Sequence, residues 1–326
     1  MVTRRRVVIA LWSIAAAPYT SGQERTGKVV RIGVLVPASR EFFSNRFAPF
    51  RENLRTLGYV EGKNLAFEYR YADGKLEQLP KLARELVAAK VDLIFSAGGE
   101  PIVAAMNATT TIPILFGTVQ DPLASGIVKS LSRPGANATG MSALGPDLSR
   151  KRLQLKDIAP EITRVGFLWS PVTPGANFQL REMQVAAASL GLQLRSLEVR
   201  EAVDLEIAFQ TILKEQVRGL VTNPDPLINA ERIRIVDFTV KNRLLGVYAA
   251  PEFGDAGGLM TYGPNYADLW RRAATLADKI LKGANPADLP VEQPTKFDLG
   301  VNLKTATAIG VKIPDSVLLQ ATKVVR

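Results

Sequence analysis

The sequence predicts an α/β protein of two Rossmann-like lobes. Each lobe is built on a parallel sheet, and the chain crosses the hinge between them three times. Three observations carry this prediction. Short apolar runs alternate with amphipathic stretches along most of the 326 residues, the pattern of strands joined by crossover helices. The length itself argues for two domains at about 150 residues each. The pattern also restarts after residue 143: Arg164–Pro171 (RVGFLWSP) echoes Arg31–Pro37 (RIGVLVP). Val165 lies 133 residues after Ile32, Leu220 lies 126 after Ile94, and Leu244 lies 132 after Ile112. A near-constant offset indicates two units of one βα design.

Taken in order, residues 1–28 read as an export signal. Arg4, Arg5 and Arg6 form a basic start, and Val7–Ala17 form an apolar run of 11 residues. That run is too short to span a bilayer, which needs about 20. Thr20 and Gly22 suit cleavage near residues 22/23. The Arg4–Val8 stretch fits a twin-arginine signal as well as a Sec signal, so the expected location is the periplasm by either route. No Cys follows the run to carry a lipid.

Val29–Val36 is an apolar strand followed by a loop through Ala38 and Ser39. Phe47, Phe50, Leu54 and Leu57 share one helix face, which Gly58 ends. Asn64–Arg70 alternates as a strand, and Leu79, Leu82, Leu86 and Val87 mark a second helix. The stretch Val91–Pro122 organises the rest. Its strand Val91–Phe95 ends at Gly98-Gly99, and Pro101 sits at a helix start. Its second strand, Ile112–Phe116, ends at Gly117-Thr118, and Asp121-Pro122 reads as an N-cap opening a helix to about Leu131. Two helix N-termini beside two strand ends would suit a carboxylate, which is where open α/β sheets place ligands. The alternative is that Gly98-Gly99 makes only a tight turn.

Arg133–Ala143 is a Pro/Gly/Asn-rich connection, and the second unit follows. By the repeat, the loop after Val36 corresponds to Ser170–Asn177, and Gly98-Gly99 to Pro224-Asp225. Asp225 before Pro226 also reads as an N-cap. After Gly257-Gly258, a strand, a helix to about Lys282, a turn over 283–290 and a last strand Val291–Val301 are expected. The crossings then fall near residues 140, 262 and 287. The lobes become 29–142 plus 263–286, and 143–262 plus 287–326.

Composition excludes several function classes. Net charge is +10, of which the three N-terminal arginines supply three, leaving +7. No basic-aromatic cluster remains, so nucleic acid is not an expected partner. With no Cys and no His, thiolate chemistry, imidazole bases and the usual transition-metal ligands are absent, and neither a cofactor nor a metal is expected. An exported α/β enzyme would also want a nucleophile beside a base, such as GxSxG with a His; neither occurs.

An ordered set of segments then carries a resemblance. These are Leu57–Asn64 (LGYVEGKN), Tyr71–Gly74 (YADG), Thr111–Phe116 (TIPILF), Asp121-Pro122, Arg133–Gly140 (RPGANATG), Gly257–Gly263 (GGLMTYG) and Ile280–Leu299. Together they resemble the tryptophan/tyrosine-binding-like family of ABC transporter substrate-binding proteins, with the type I periplasmic binding protein fold. The resemblance implies a two-lobed protein that captures a small ligand, an amino acid or aromatic or carboxylic acid, and delivers it to an ABC permease and ATPase; the mature protein itself is expected to be a monomer. A periplasmic ligand-sensing partner of a membrane receptor is the alternative. A LacI-like repressor is excluded by an export signal where a DNA-binding headpiece would stand. The run Tyr248–Phe253 (YAAPEF) matches the family pattern only at Tyr248, Glu252 and Phe253.

The expected ligand contacts lie on the loops at the strand ends. In the first lobe they are Ala38, Ser39, Gly98, Gly99, Glu100, Thr118, Gln120 and Asp121. In the second they are Ser170, Thr173, Asn177, Asn223, Asp225, Tyr248 and Glu252. A ligand carboxylate would meet the backbone N–H groups around Gly98–Glu100 and Thr118–Gln120. An ammonium would meet Asp225 or Glu252, and Tyr248 would offer a ring face. Glu100 would repel a carboxylate unless it turned to solvent.

Overall fold

The computed structural model describes residues 29–143, 148–173 and 175–326, with the backbone alone at Phe42. The expected export signal lies outside the described residues. The first unit runs β1 (Val30–Val36), α1 (Arg40–Thr56), β2 (Leu65–Tyr71), α2 (Leu79–Ala88), β3 (Leu93–Ser96), α3 (Gly99–Ala108), β4 (Ile114–Val119) and β5 (Ala138–Ser142). These five strands form one parallel sheet in the order β2-β1-β3-β4-β5.

The second unit runs α4 (Leu148–Arg152), β6 (Arg164–Trp169), α5 (Ala176–Ser189), β7 (Gln193–Glu198), α6 (Asp204–Lys214), β8 (Gly219–Thr222), α7 (Pro226–Ala230), α8 (Arg232–Lys241), β9 (Leu245–Tyr248), α9 (Glu252–Asp255) and β10 (Met260–Pro264). After α10 (Tyr266–Leu281) come β11 (Phe297–Asn302), α11 (Leu303–Ile309), α12 (Asp315–Leu318) and β12 (Lys323–Val325). The second sheet has seven strands in the order β12-β11-β10-β9-β8-β6-β7, and only the β10–β11 pair is antiparallel. Its β7-β6-β8-β9-β10 run repeats the order of the first sheet, which is the structural form of the sequence offset.

Helix α10 links the two units. It leaves the second sheet at β10, yet Leu269, Trp270, Ala273, Ala274, Leu276, Ala277 and Ile280 pack into the core of the first. There they meet α1, where Phe47 stacks on Phe43 and Phe50 with centroids 5.0 Å away on either side. Burying each such ring contributes roughly 1.5–3 kcal/mol.

Two expectations are corrected. No helix follows Asp121-Pro122. Asp121 Oδ1 accepts from the N–H groups of Leu123 and Ala124, but Gly126, at φ +69°, ends the structure after one turn. The left-handed glycine stops what the N-cap and proline started. The second correction concerns Val291–Val301, which is not one strand. Glu292 bridges to Met141 beside β5, and its N–H donates to Gly140 O. The chain therefore stays on the first sheet until residue 292 and joins the second only at Phe297.

Candidate ligand-binding site

A cavity of about 140 Å³ lies where the C-terminal ends of both sheets face each other. From the first unit, Ala38, Gly98, Gly99, Glu100, Thr118 and Gln120, six of the residues singled out in the sequence, line it. From the second come Thr173 and Asp225. Position in the fold explains this: each lies at or just after the C-terminal end of a strand, so each points along the strands toward the opposite unit.

Asp225 is 5% exposed and performs three tasks. It is the N-cap of α7, with Oδ1 accepting from the Ile228 N–H at 3.0 Å. Its Oδ2 accepts a hydrogen bond from the Thr173 hydroxyl. The side chain also faces the cavity. Burial pushes its carboxyl above the ordinary range, while the Thr173 and backbone hydrogen bonds pull it back.

Glu100 does not turn to solvent. Its Oε2 lies 3.8 Å from the position a Gly98 side-chain carbon would take, so the carboxylate folds over the start of its own helix. There the backbone N–H of Glu100 itself donates to it. Its Oε1 is buried without a partner. Burial raises the Glu100 carboxyl most and the negative charge of Asp225 across the cleft raises it further, while its own backbone N–H and the Thr173 hydroxyl pull it back. Gly98 is at φ +97° and ψ 160°, a conformation open essentially to glycine alone, and as N-cap it brings no side chain.

Other expected contacts are not on the cavity wall. Ser39 is exposed at the start of α1, and Asn177 is exposed on the first turn of α5. Asp121 is committed to its own turn. Ser170 and Asn223 are buried at the ends of β6 and β8, outside the lining, with unpartnered side-chain atoms. Tyr248 is fully buried: its ring stacks on Phe253 at 4.4 Å, and its hydroxyl is 2.7 Å from that of Thr239. It belongs to the core behind α8 and α9 and offers no face to a ligand. Burial raises its phenol. Glu252 sits behind the wall, where its Oε1 accepts from Arg46 Nε at 2.6 Å and also from Arg46 Nη2. Arg46 stands on α1 and Glu252 on α9, so this half-buried ion pair joins the two units.

Sequence reasoning missed the helical side of the cavity. Phe43 and Arg46 reach it from α1, and Tyr266 and Trp270 from α10. Phe43 and Trp270 have centroids 5.6 Å apart and make an aromatic floor. The Arg46 guanidinium lies 5.5 Å from the centroid of Tyr266. Trp270 is 3% exposed, and its Nε1 has no partner. Asn229, one turn into α7 from Asp225, also lines the cavity with its Oδ1 unpartnered. The aromatic spacing at Phe43, Phe47 and Phe50 was the available signal, but it marks a core face equally well. Among the described residues no group of side chains could hold a metal ion, and no helix is long and apolar enough to cross a membrane.

Comparison with known proteins adds the family. Residues 31–325 match the model of the ABC transporter substrate binding protein family. The chain is 27% identical over 274 residues to the tyrosine-binding protein of Clostridioides difficile strain R20291, covering 80% of this chain and 75% of that one. A conserved domain protein from Vibrio cholerae superposes with a TM-score of 0.85 at 27% identity, covering 91% of this chain and all of the other. An ABC domain from Streptococcus pneumonia in complex with L-Trp also superposes at 0.85, with 24% identity, over 91% of this chain and 99% of that one. These are relatives of a solute-binding family, not of an enzyme family. On the match across nearly all of its described length, the chain belongs to the ABC transporter substrate binding protein family.

Proposed function

We propose that this protein is an extracytoplasmic receptor that captures a small amine-bearing ligand between its two lobes and presents it to an ABC permease and ATPase. The observation that carries the ligand class is the cavity itself. It sets the buried Asp225 carboxylate on one side and the Phe43–Trp270 floor on the other, which suits an ammonium attached to a ring or other apolar body. The tyrosine-binding relative and the L-Trp complex support an aromatic amino acid or a close analogue as the first class to test.

The lobes that close on the ligand are 29–142 plus 263–286, with residues 287–292 carried alongside β5, and 143–262 plus 293–326. The Arg46–Glu252 pair favours the closed arrangement. The receptor works as a monomer, since one chain supplies both walls of the cavity. A thermal-shift screen of the mature protein against amino acids, their amines and aromatic acids tests this reading. A ligand that binds only the native state raises the melting temperature by mass action. A rise with at least one amine-bearing compound is expected. A response confined to compounds without an amine would overturn it.

A further inference from the structure

We propose that the cavity selects a ligand with net positive charge, a primary amine on an apolar or aromatic body without a carboxylate of its own, over the corresponding zwitterionic amino acid. This rests on the reading that the interlobe cavity is the ligand site, and it deepens that reading.

The N-terminus of α3 is the place a ligand carboxylate would be expected to occupy, because helix N-termini attract anions. In this chain that place is taken. The Glu100 carboxylate lies over Gly98 at the start of the helix, with one oxygen close to the N-cap and the other buried and unpartnered. A ligand carboxylate entering here would meet a fixed carboxylate rather than free N–H groups. The opposite wall carries the Asp225 carboxylate, already held by Thr173 and Ile228. Asn229, 7% exposed, adds an unpartnered acceptor oxygen one turn further along.

The charges on the wall point the same way. Among the described lining residues the acidic groups are Glu100 and Asp225, the basic one is Arg46, and no lysine is present. Arg46 is engaged by Glu252 through both Nε and Nη2. Two carboxylates left facing a low-dielectric cavity repel each other and call for a cation. An ammonium has three N–H donors, and Glu100 on one wall with Asp225 and Asn229 on the other offers it three acceptors. A zwitterion would bring a third carboxylate, and Arg46, the basic residue of the described lining, already pairs with Glu252. Of the remaining wall, Phe43, Trp270 and Ala97 are apolar, and Thr118, Gln120 and Tyr266 are polar but uncharged. Trp270 Nε1 adds a neutral donor that suits a hydroxyl on the ligand body.

The test is calorimetry on the mature protein with three matched probes that share one ring: tyramine, tyrosine and 3-(4-hydroxyphenyl)propionate, repeated with the tryptamine series. Tyramine or tryptamine is expected to bind at least tenfold more tightly than its amino acid, and the acid not to bind. In Glu100→Gln, which keeps the shape and removes the charge, the amine should lose at least tenfold and the gap to the amino acid should narrow. An amino acid that binds the native protein as tightly as its amine would overturn the proposal. So would an unchanged amine-to-amino-acid ratio in Glu100→Gln. Binding of the amino acid alone would overturn the charge selection but leave the solute-binding reading standing. Binding of the acid alone would overturn both.

Discussion

The turns after β3 and after β8 occupy equivalent positions in the two sheets, and each delivers one carboxylate to the cavity by a different route. After β8, Asp225 is itself the N-cap and spends both oxygens locally, on Ile228 and Thr173. After β3, the cap is Gly98, which has no side chain, and Glu100 supplies the carboxylate from within the first turn. One of its oxygens remains unspent. The difference teaches that one topological position can carry a fully committed, structural acid in one lobe and an acid with one oxygen to spare in the other. Stability should depend mostly on the first, and rejection of a ligand carboxylate mostly on the second.

The sharpest way to break this comparison is Asp225→Ala. Loss of the cap should lower stability by about 1–2 kcal/mol in urea unfolding. Loss of an ion-paired hydrogen bond should weaken binding of an amine by about 1.5–3 kcal/mol in calorimetry. Unchanged stability would show that Asp225 is not the structural member of the pair. Next in size is Gly98→Ala. A side-chain carbon has room there, with Pro101 no nearer than 3.7 Å, so the cost comes from the backbone conformation and should be roughly 1–3 kcal/mol. Chemical denaturation with an unchanged slope would confirm it, and a neutral result would mean that the turn can relax.

The smallest expected effect is on pH. Glu100 faces Asp225 and Thr173 across the cleft, with Arg46 and Tyr266 on the first-unit side and Glu252 behind Arg46. Burial raises the carboxyls of Glu100 and Asp225, so the folded empty protein holds these protons more tightly than the unfolded chain. Its stability contribution from the pair is therefore greatest below ordinary carboxylate values and falls as pH rises through the raised ones. A bound cation needs the ionised forms. Affinity for an amine should then weaken several-fold when pH is lowered from 7.5 into that window, as calorimetry at stepped pH would read. A flat profile would place the two carboxyls in contact with solvent.

Much of the fold was legible because local signals agreed with tertiary ones. Apolar runs ended in Gly, Pro or Asp wherever a strand handed over to a helix, and the second unit repeated the first. Asp121-Pro122 misled because a good N-cap and first-turn proline were overruled by Ser125-Gly126 a few residues later. Tyr248 misled for a different reason. All four residues of β9 are buried, so period-two alternation is silent about which face holds the core. At the site, loop residues could be found from the repeat, since strand ends are marked in sequence. Arg46 and Trp270 could not: they sit within helices more than 200 residues apart, and the spacing that faces a cavity is the spacing that faces a core. Glu100 was visible as an oddity, but only the coordinates show its carboxylate folded over its own helix.

The excursion of α10 also sets an order of events during folding. Seven of the 19 buried residues in that core of the first unit come from Leu269 to Ile280, long after β1 to β5 have been made. The first sheet can form early, but it cannot cover its α1 face until the chain reaches Leu281. The second sheet in turn waits for β11 and β12, which follow α10. Neither unit is complete without residues that come after most of the other. Contacts of such long sequence separation slow folding, and a chain stopped near residue 262 would leave both units unfinished. Each core is thereby completed only once the other is nearly so, although each unit has a sheet of its own.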